Sequence, residues 1–295
     1  MHRTRESGNI LTEIWMRCGM YILVSIPFLI TAGLLWKAYP LMEKHAITEL
    51  IFSNNWSPSS GQFGFWPYIY SSIYVTLLSF FISAPICLFA AIYLTQFSHR
   101  RLSDIMVPVI DILAGIPSVV YGVWGILVVV PFVISISAFL GTTSTGYTLL
   151  AGGIVLALMC VPYMLNMLIE VFNTIPVGMK EASLSMGATD WEMIKHVVLR
   201  KGFPGIISAF GLGIAKAFGE TIAVMMVVGN TLQVSLSPFS PGYPLPALIA
   251  NNYGEMMSVP EYDSALMFAA LLLFIIILII NIFFRYFIYR TNKIA

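Results

Sequence analysis

Six uninterrupted apolar runs govern what this 295-residue chain can fold into. A helix needs about 20 apolar residues to cross roughly 30 Å of hydrocarbon. Runs of that kind are expected at 18–36, 70–96, 105–131, 147–169, 205–228 and 265–282. They are continuously apolar, whereas a membrane barrel needs alternating strands of about ten residues, so helices are the form that satisfies the backbone in lipid. Composition agrees: 58% of the residues are hydrophobic and 10% charged, against about 25% charged in soluble domains. The basic start resembles a signal peptide, but the first run continues to Trp36 without an A-x-A cleavage site and reads as the first membrane anchor.

Lys and Arg are distributed unevenly, and their positions set the orientation. With the N-terminus inside, the inner segments hold Arg3, Arg5, Arg17, Arg100, Arg101, Lys180, Lys195, Arg200, Lys201, Arg285, Arg290 and Lys293. The outer segments hold Lys37 and Lys44, and Lys216 is left inside a span. Both termini are therefore expected in the cytoplasm. The net charge of +1 gives no surplus to attract nucleic acid. Cys18, Cys87 and Cys160 lie in apolar runs without ligand spacing and read as packing residues.

Three segments stand out. The first is the inner loop at 181–206, EASLSMGATDWEMIKHVVLRKGFPGI. Gly187 permits a turn, Thr189 is a good N-cap, and Glu192 follows three residues later as its capping-box partner. Trp191, Ile194, Val197 and Val198 recur at helical spacing, so a helix-turn-helix elbow is expected on the cytoplasmic face. The second is GLGIAKAFGETIAVMMVVGN at 211–230. Lys216 and Glu220 are four apart and share a helix face. Charges at that depth either neutralise each other between helices or face an aqueous path, and small residues at Ala209, Gly213, Gly219 and Ala223 let a helix or a solute come close. The third is DILAGIPSVVYGVWG at 111–125, where Pro117 disfavours helix at Ile116. Gly115, Gly122 and Gly125 loosen the same span, which leaves either a packing kink or a broken helix lining a cavity, with Ser118 at the new helix start.

The inner loop resembles the EAA loop of ABC importer permeases, with Glu181, Ala182 and Ser183 at the EAA positions, Gly187 at the conserved-pattern glycine, Val197 and Leu199 at the Ile and Leu. Arg200 stands where that family prefers Pro, so Pro204 is the expected helix stop. The fifth span is similar to phosphate permeases of the PstC and PstA type, with Lys216 where Arg is usual, followed by Gly219, Glu220 and Thr221. LAGIPS and YGVWG resemble the PstC type, with Asp111 at its acidic position.

This resemblance implies an all-α, six-helix type I ABC importer permease of the bacterial cytoplasmic (inner) membrane. Its layout would be a cytoplasmic start at 1–17, a first helix at 18–36, an external loop at 37–69, and a core at 70–288. The core would carry the cytoplasmic EAA coupling loop at 170–204, and 289–295 would form a tail. Lys216, Glu220, Thr221 and Ser118 would line the substrate pathway, and Glu181, Ala182, Gly187 and Trp191 would couple to an ATPase. The implied partners are a second, PstA-type permease, two ATPase subunits, an external phosphate-binding protein and the surrounding lipid. No G-x-x-x-x-G-K-[ST] loop occurs, so ATP and Mg are expected on the partner ATPase and no cofactor in this chain. No nucleophile elbow or ligand-spaced His cluster suggests an enzyme. Another oxyanion, such as molybdate, tungstate or sulfate, or a phosphate-sensing scaffold, would use the same architecture.

Overall fold

The computed structural model describes residues 2–255 and 260–292. Met1 and residues 293–295, including Lys293, fall outside it, so the expected tail is described only in part. Among the described residues, six helical stretches are long and apolar enough to cross a membrane: Thr12–Lys44, Trp66–Phe97, Ser118–Phe139, Leu149–Asn173, Asp190–Phe218 and Glu261–Thr291.

The first helix, α1 (His2–Lys44), is followed by α2 (Ile47–Phe52) and a two-stranded hairpin, β1 (Trp56–Ser57) and β2 (Gln62–Phe63). Next come α3 (Trp66–Ile92), α4 (Arg100–Gly115), α5 (Ser118–Trp124), α6 (Val130–Phe139) and α7 (Leu149–Asn173). The elbow is α8 (Val177–Ser185) and α9 (Asp190–Met193), and the chain ends with α10 (Leu199–Phe218), α11 (Ile222–Val227), α12 (Leu245–Asn252) and α13 (Pro260–Asn292). Single π turns at Tyr93–Phe97, Gly125–Val129 and Ile194–Val198 extend or join these helices without breaking them.

The centre is built by α3, α7 and α10. Leu156, Met164, Leu168 and Phe172 of α7 are fully buried, against Val75 and Cys87 of α3 and Ala209 of α10. Thr148 caps α7 by accepting from the Ala151 N–H at 3.1 Å. A second cluster ties the C-terminal part of α1 to the hairpin, α12 and the start of α13, through Leu41, Leu50, Phe65, Tyr68, Leu245 and Phe268. Trp56 is its hub, with edge-on rings of Phe63, Phe65 and Tyr68 at 5.2–5.5 Å. Lys37 pairs with Asp263 at 3.5 Å and Lys44 pairs with Glu261, so both cations assigned to the outer segments meet the acidic first turn of α13.

Four expectations are corrected. The third span is Ser118–Phe139, not 105–131, because Ile116 and Pro117 end α4 in extended backbone (Ile116 ψ 128°) and start a new helix. The fifth span begins in the elbow at Asp190 and stops at Phe218; Gly219, Glu220 and Thr221 interrupt it before α11. Pro204 is no stop, since it lies inside α10, where packing on α7 and α13 outweighs the hydrogen bond that proline forfeits. Finally, Gly122 and Gly125 serve close packing. A Cβ at Gly122 would lie 2.5 Å from Met226 Sδ, and one at Gly125 would lie 2.7 Å from Val155 Cγ2 and 2.8 Å from Val227 Cγ1.

Past α11, Gly229 (φ 92°) and Asn230 (φ 47°) turn the chain back. The following Pro-rich segment folds onto the start of α7, where Leu149 and Leu150 N–H groups donate to the Ser240 and Pro238 carbonyls. Ser72 Oγ accepts from the Leu245 N–H at 2.8 Å and so sets the entry of α12. The sequence LPALIANN is thus a short helix, with Leu245 and Leu248 fully buried.

Packing at Gly125 gives a direct expectation. Gly125→Leu should destabilise the detergent-solubilised chain by about 1–3 kcal/mol, the usual cost of overpacking. Gly33→Ala, which meets nothing within 4 Å, should stay within about 0.5 kcal/mol in the same thermal melts.

Candidate functional site

Lys216 is the one basic residue placed between the ends of the six runs, so its surroundings define the site. It lies in the last turn of α10 and is half-buried. Helical side chains lean toward the N-terminal end of their helix, and the Lys216 ammonium accordingly reaches back onto α7. Its nitrogen sits 3.9 Å from the centroid of the Tyr163 ring. A cation over an aromatic face is attracted by the ring quadrupole, worth about 0.5–2 kcal/mol according to desolvation.

Glu220 does not share that helix face. Gly219 ends α10, and Glu220 follows in the break, its N–H donating to the Ala217 carbonyl at 3.3 Å. Glu220 borders a small cleft together with Ser72, Thr76, Val224 and Pro244. Among the described residues no hydrogen bond or ion pair joins Lys216 to Glu220, and both charges lie within electrostatic reach of the Cys160 thiol. The premise of i,i+4 pairing failed because the helix stops between the two. Thr221 precedes α11, its hydroxyl 3.5 Å from the Gly219 carbonyl. Ser118 opens α5 and is half-buried. The four expected pathway residues lie on three helix ends, and no hydrogen bond links them.

Sequence reasoning missed the residues that tie α5, α7 and Lys216 to the end of α4. Tyr163 Oη donates to the Ala114 carbonyl at 2.8 Å, and Tyr121 Oη donates to the Leu113 carbonyl at 2.9 Å. Both carbonyls belong to the end of α4; Leu113 also accepts from the Ile116 N–H at 3.3 Å, and Ala114 has lost its helical partner to the Pro117 break. One turn along α7, Asn166 Nδ2 donates to Asp111 Oδ1 at 2.7 Å. The signal was present as Tyr163 and Asn166, polar groups three apart and hence on one face of an apolar helix.

The elbow forms as its sequence directs. Gly187 takes the left-handed turn (φ 88°). Thr189 caps α9, its hydroxyl accepting from the Glu192 N–H at 3.3 Å while Glu192 Oε2 accepts from the Thr189 N–H at 2.8 Å. Met193, Ile194 and Val198 turn inward and are buried. In contrast, α8 buries no residue. Glu181, Ala182 and Gly187 are exposed, as are Met186 (85%) and Trp191 (53%). Partial desolvation of Lys180 holds its ammonium below the ordinary lysine value. An exposed apolar ridge on a capped turn suits a protein groove.

These features define a multi-pass membrane protein with a polar site at helix breaks in mid-bundle and a projecting elbow on one face. The chain belongs to the binding-protein-dependent transport system inner membrane component family, whose model matches residues 83–293. It is a transport permease of the inner membrane and not an enzyme. It is 34% identical over 276 residues to the phosphate transport system permease protein PstC of Xylella fastidiosa, covering 88% of this chain and 84% of that protein. It is 32% identical over 291 residues to a probable phosphate transport system permease protein PstC of Methanocaldococcus jannaschii, covering 93% and 92%. A probable ABC transporter permease protein of Bacillus subtilis, YqgH, is 36% identical over 240 residues, with 81% and 76% covered. In fold, the chain resembles an inward-facing MetNI methionine ABC transporter chain, with TM-score 0.58, 21% identity and coverage of 76% and 94%.

The capping box yields an expectation for the elbow. Thr189→Ala should cost about 1 kcal/mol of helix-start stability, read as several-fold faster amide hydrogen exchange over 190–193. Thr189→Ser should keep the wild-type protection.

Proposed function

We propose that this chain is one of two permease subunits of an ATP-driven importer of inorganic phosphate, contributing half of the pathway. The observation that carries the reading is Lys216, an ammonium held inside the bundle with no carboxylate on it, in a chain whose relatives include phosphate transport permeases. An ammonium presents three donors and a point charge, and an anion crossing the bundle would meet it with little competition from within the chain. Thr221 and Ser118, at helix starts beside breaks, would offer hydroxyls along the same route.

The other subunits follow from what the chain lacks. Without a phosphate loop of its own, it relies on two partner ATPases, which bind ATP and Mg. Glu181, Ala182, Gly187 and Trp191 of the elbow would dock in one of them. A second permease of the PstA type would complete the pathway, and an external phosphate-binding protein would deliver the anion to the face opposite the elbow. Both termini would then lie in the cytoplasm. ATP binding would draw the elbows together and open the pathway outward, and hydrolysis would reset it.

The test is ATP-dependent uptake of radiolabelled phosphate by cells lacking their own high-affinity system and expressing this chain with its genomic neighbours. Losing a charge-assisted contact worth about 1.5–3 kcal/mol should make Lys216→Gln lower uptake at least about tenfold at unchanged protein level. Unaltered uptake in that variant would remove Lys216 from the pathway. Uptake abolished by excess molybdate or sulfate would assign a different oxyanion, and signalling that persists without uptake would point to a sensor.

A further inference from the structure

Two opposite charges four residues apart within an apolar run are set to neutralise each other, yet in this chain they do not. The break at Gly219 accounts for the carboxylate, and Tyr163 accounts for the ammonium. We infer that Tyr163 is a positioning residue that holds Lys216 away from Glu220, so that both charges stay free for the transported anion; this rests on the phosphate-permease reading.

Tyr163 is fixed at both ends of its side chain. Its backbone lies in the middle of α7, between the buried Pro162 and Met164. Its hydroxyl is tied to the Ala114 carbonyl at 2.8 Å, where that carbonyl has lost its helical partner to the Pro117 break. The ring presents its face to the Lys216 nitrogen at 3.9 Å, and it is this face, rather than the hydroxyl bond, that engages the ammonium. A cation–π contact suits this task because it is weaker than an ion pair in the same low-dielectric setting. It keeps the amine in place, and an arriving oxyanion can take it over. Glu220, left at the cleft with Ser72 and Thr76, can only accept hydrogen bonds while ionised. A phosphate carrying a P–OH group could therefore donate to Glu220 while its charged oxygens accept from Lys216.

Removing the ring while leaving the backbone intact should let Lys216 swing onto Glu220. Removing only the hydroxyl should not, because Phe keeps the aromatic face. A carbodiimide reads this contact directly. It activates a carboxylate, which a touching amine attacks to form an amide, with the activating oxygen leaving as the urea. The product is a Lys216–Glu220 link within one peptide, 18 mass units lighter than the unlinked form by the loss of one water.

The experiment treats the complete membrane-embedded transporter with a lipid-permeant carbodiimide and quantifies that peptide by mass spectrometry. Phosphate uptake is measured on the same preparations. The wild type and Tyr163→Phe should show little link and uptake within about twofold of each other. Tyr163→Leu should show at least a fivefold rise in the link and at least a fivefold fall in uptake. A wild type that links as readily as Tyr163→Leu would overturn the inference without any variant needing to fold well. A Tyr163→Phe that behaves like Tyr163→Leu would overturn it too, by assigning the effect to the Ala114 hydrogen bond. Because the link is read without transport, a chain that carries no phosphate would sink the function and leave the positioning role to be judged on the link alone.

Discussion

Hydrocarbon offers no hydrogen bonds, so a backbone inside it must satisfy its own polar groups, and wherever a helix stops the orphaned groups need named partners. This chain stops helices twice within the bundle. At Ile116 and Pro117 the freed carbonyl of Ala114 takes the hydroxyl of Tyr163, and the Leu113 carbonyl takes that of Tyr121 beside the Ile116 N–H. At Gly219 the Glu220 N–H closes a tight turn on Ala217, and α11 restarts at once. The first break thereby fixes a tyrosine under Lys216, and the second takes Glu220 off the lysine's helix face.

The same continuity that fails at Gly219 is preserved on the other side. From Asp190 to Phe218 the helix runs 29 residues without interruption, at about 1.5 Å per residue. It starts at the Thr189 capping box and ends two residues beyond Lys216. In the proposed role this makes one element of the exposed elbow and the mid-bundle cation. Glycines along it keep it close to its neighbours: a Cβ at Gly205 would lie 2.5 Å from the Val171 side chain, and one at Gly211 would lie 2.7 Å from the Phe284 ring.

Much of this was legible because it is local. The number of membrane-crossing helices, the turn at Gly187 and the reciprocal Thr189–Glu192 cap each depend on neighbouring residues, and the described residues show all three, with the third and fifth spans shifted by helix breaks. What could not be read depends on distant packing. Gly122 and Gly125 look like loosening residues until α11 and α7 are found against them. Pro204 looks like a stop until α7 and α13 hold the helix through it. Ending α10 at Gly219 took Glu220 off the shared face on which a pair with Lys216 depended, and nothing within FGETI marks the stop strongly. The role of Tyr163 was hidden because its two partners, Ala114 and Lys216, are each about fifty residues away in sequence.

The most direct measurement is an electron cryo-microscopy map of the assembled transporter, embedded in lipid with phosphate and trapped with its pathway occluded. The account predicts tetrahedral density within hydrogen-bonding distance of the Lys216 amine, with Glu220 turned toward the anion and the Tyr163 hydroxyl still on the Ala114 carbonyl. A map in which Lys216 and Glu220 are paired with each other, and the anion passes elsewhere, would contradict it.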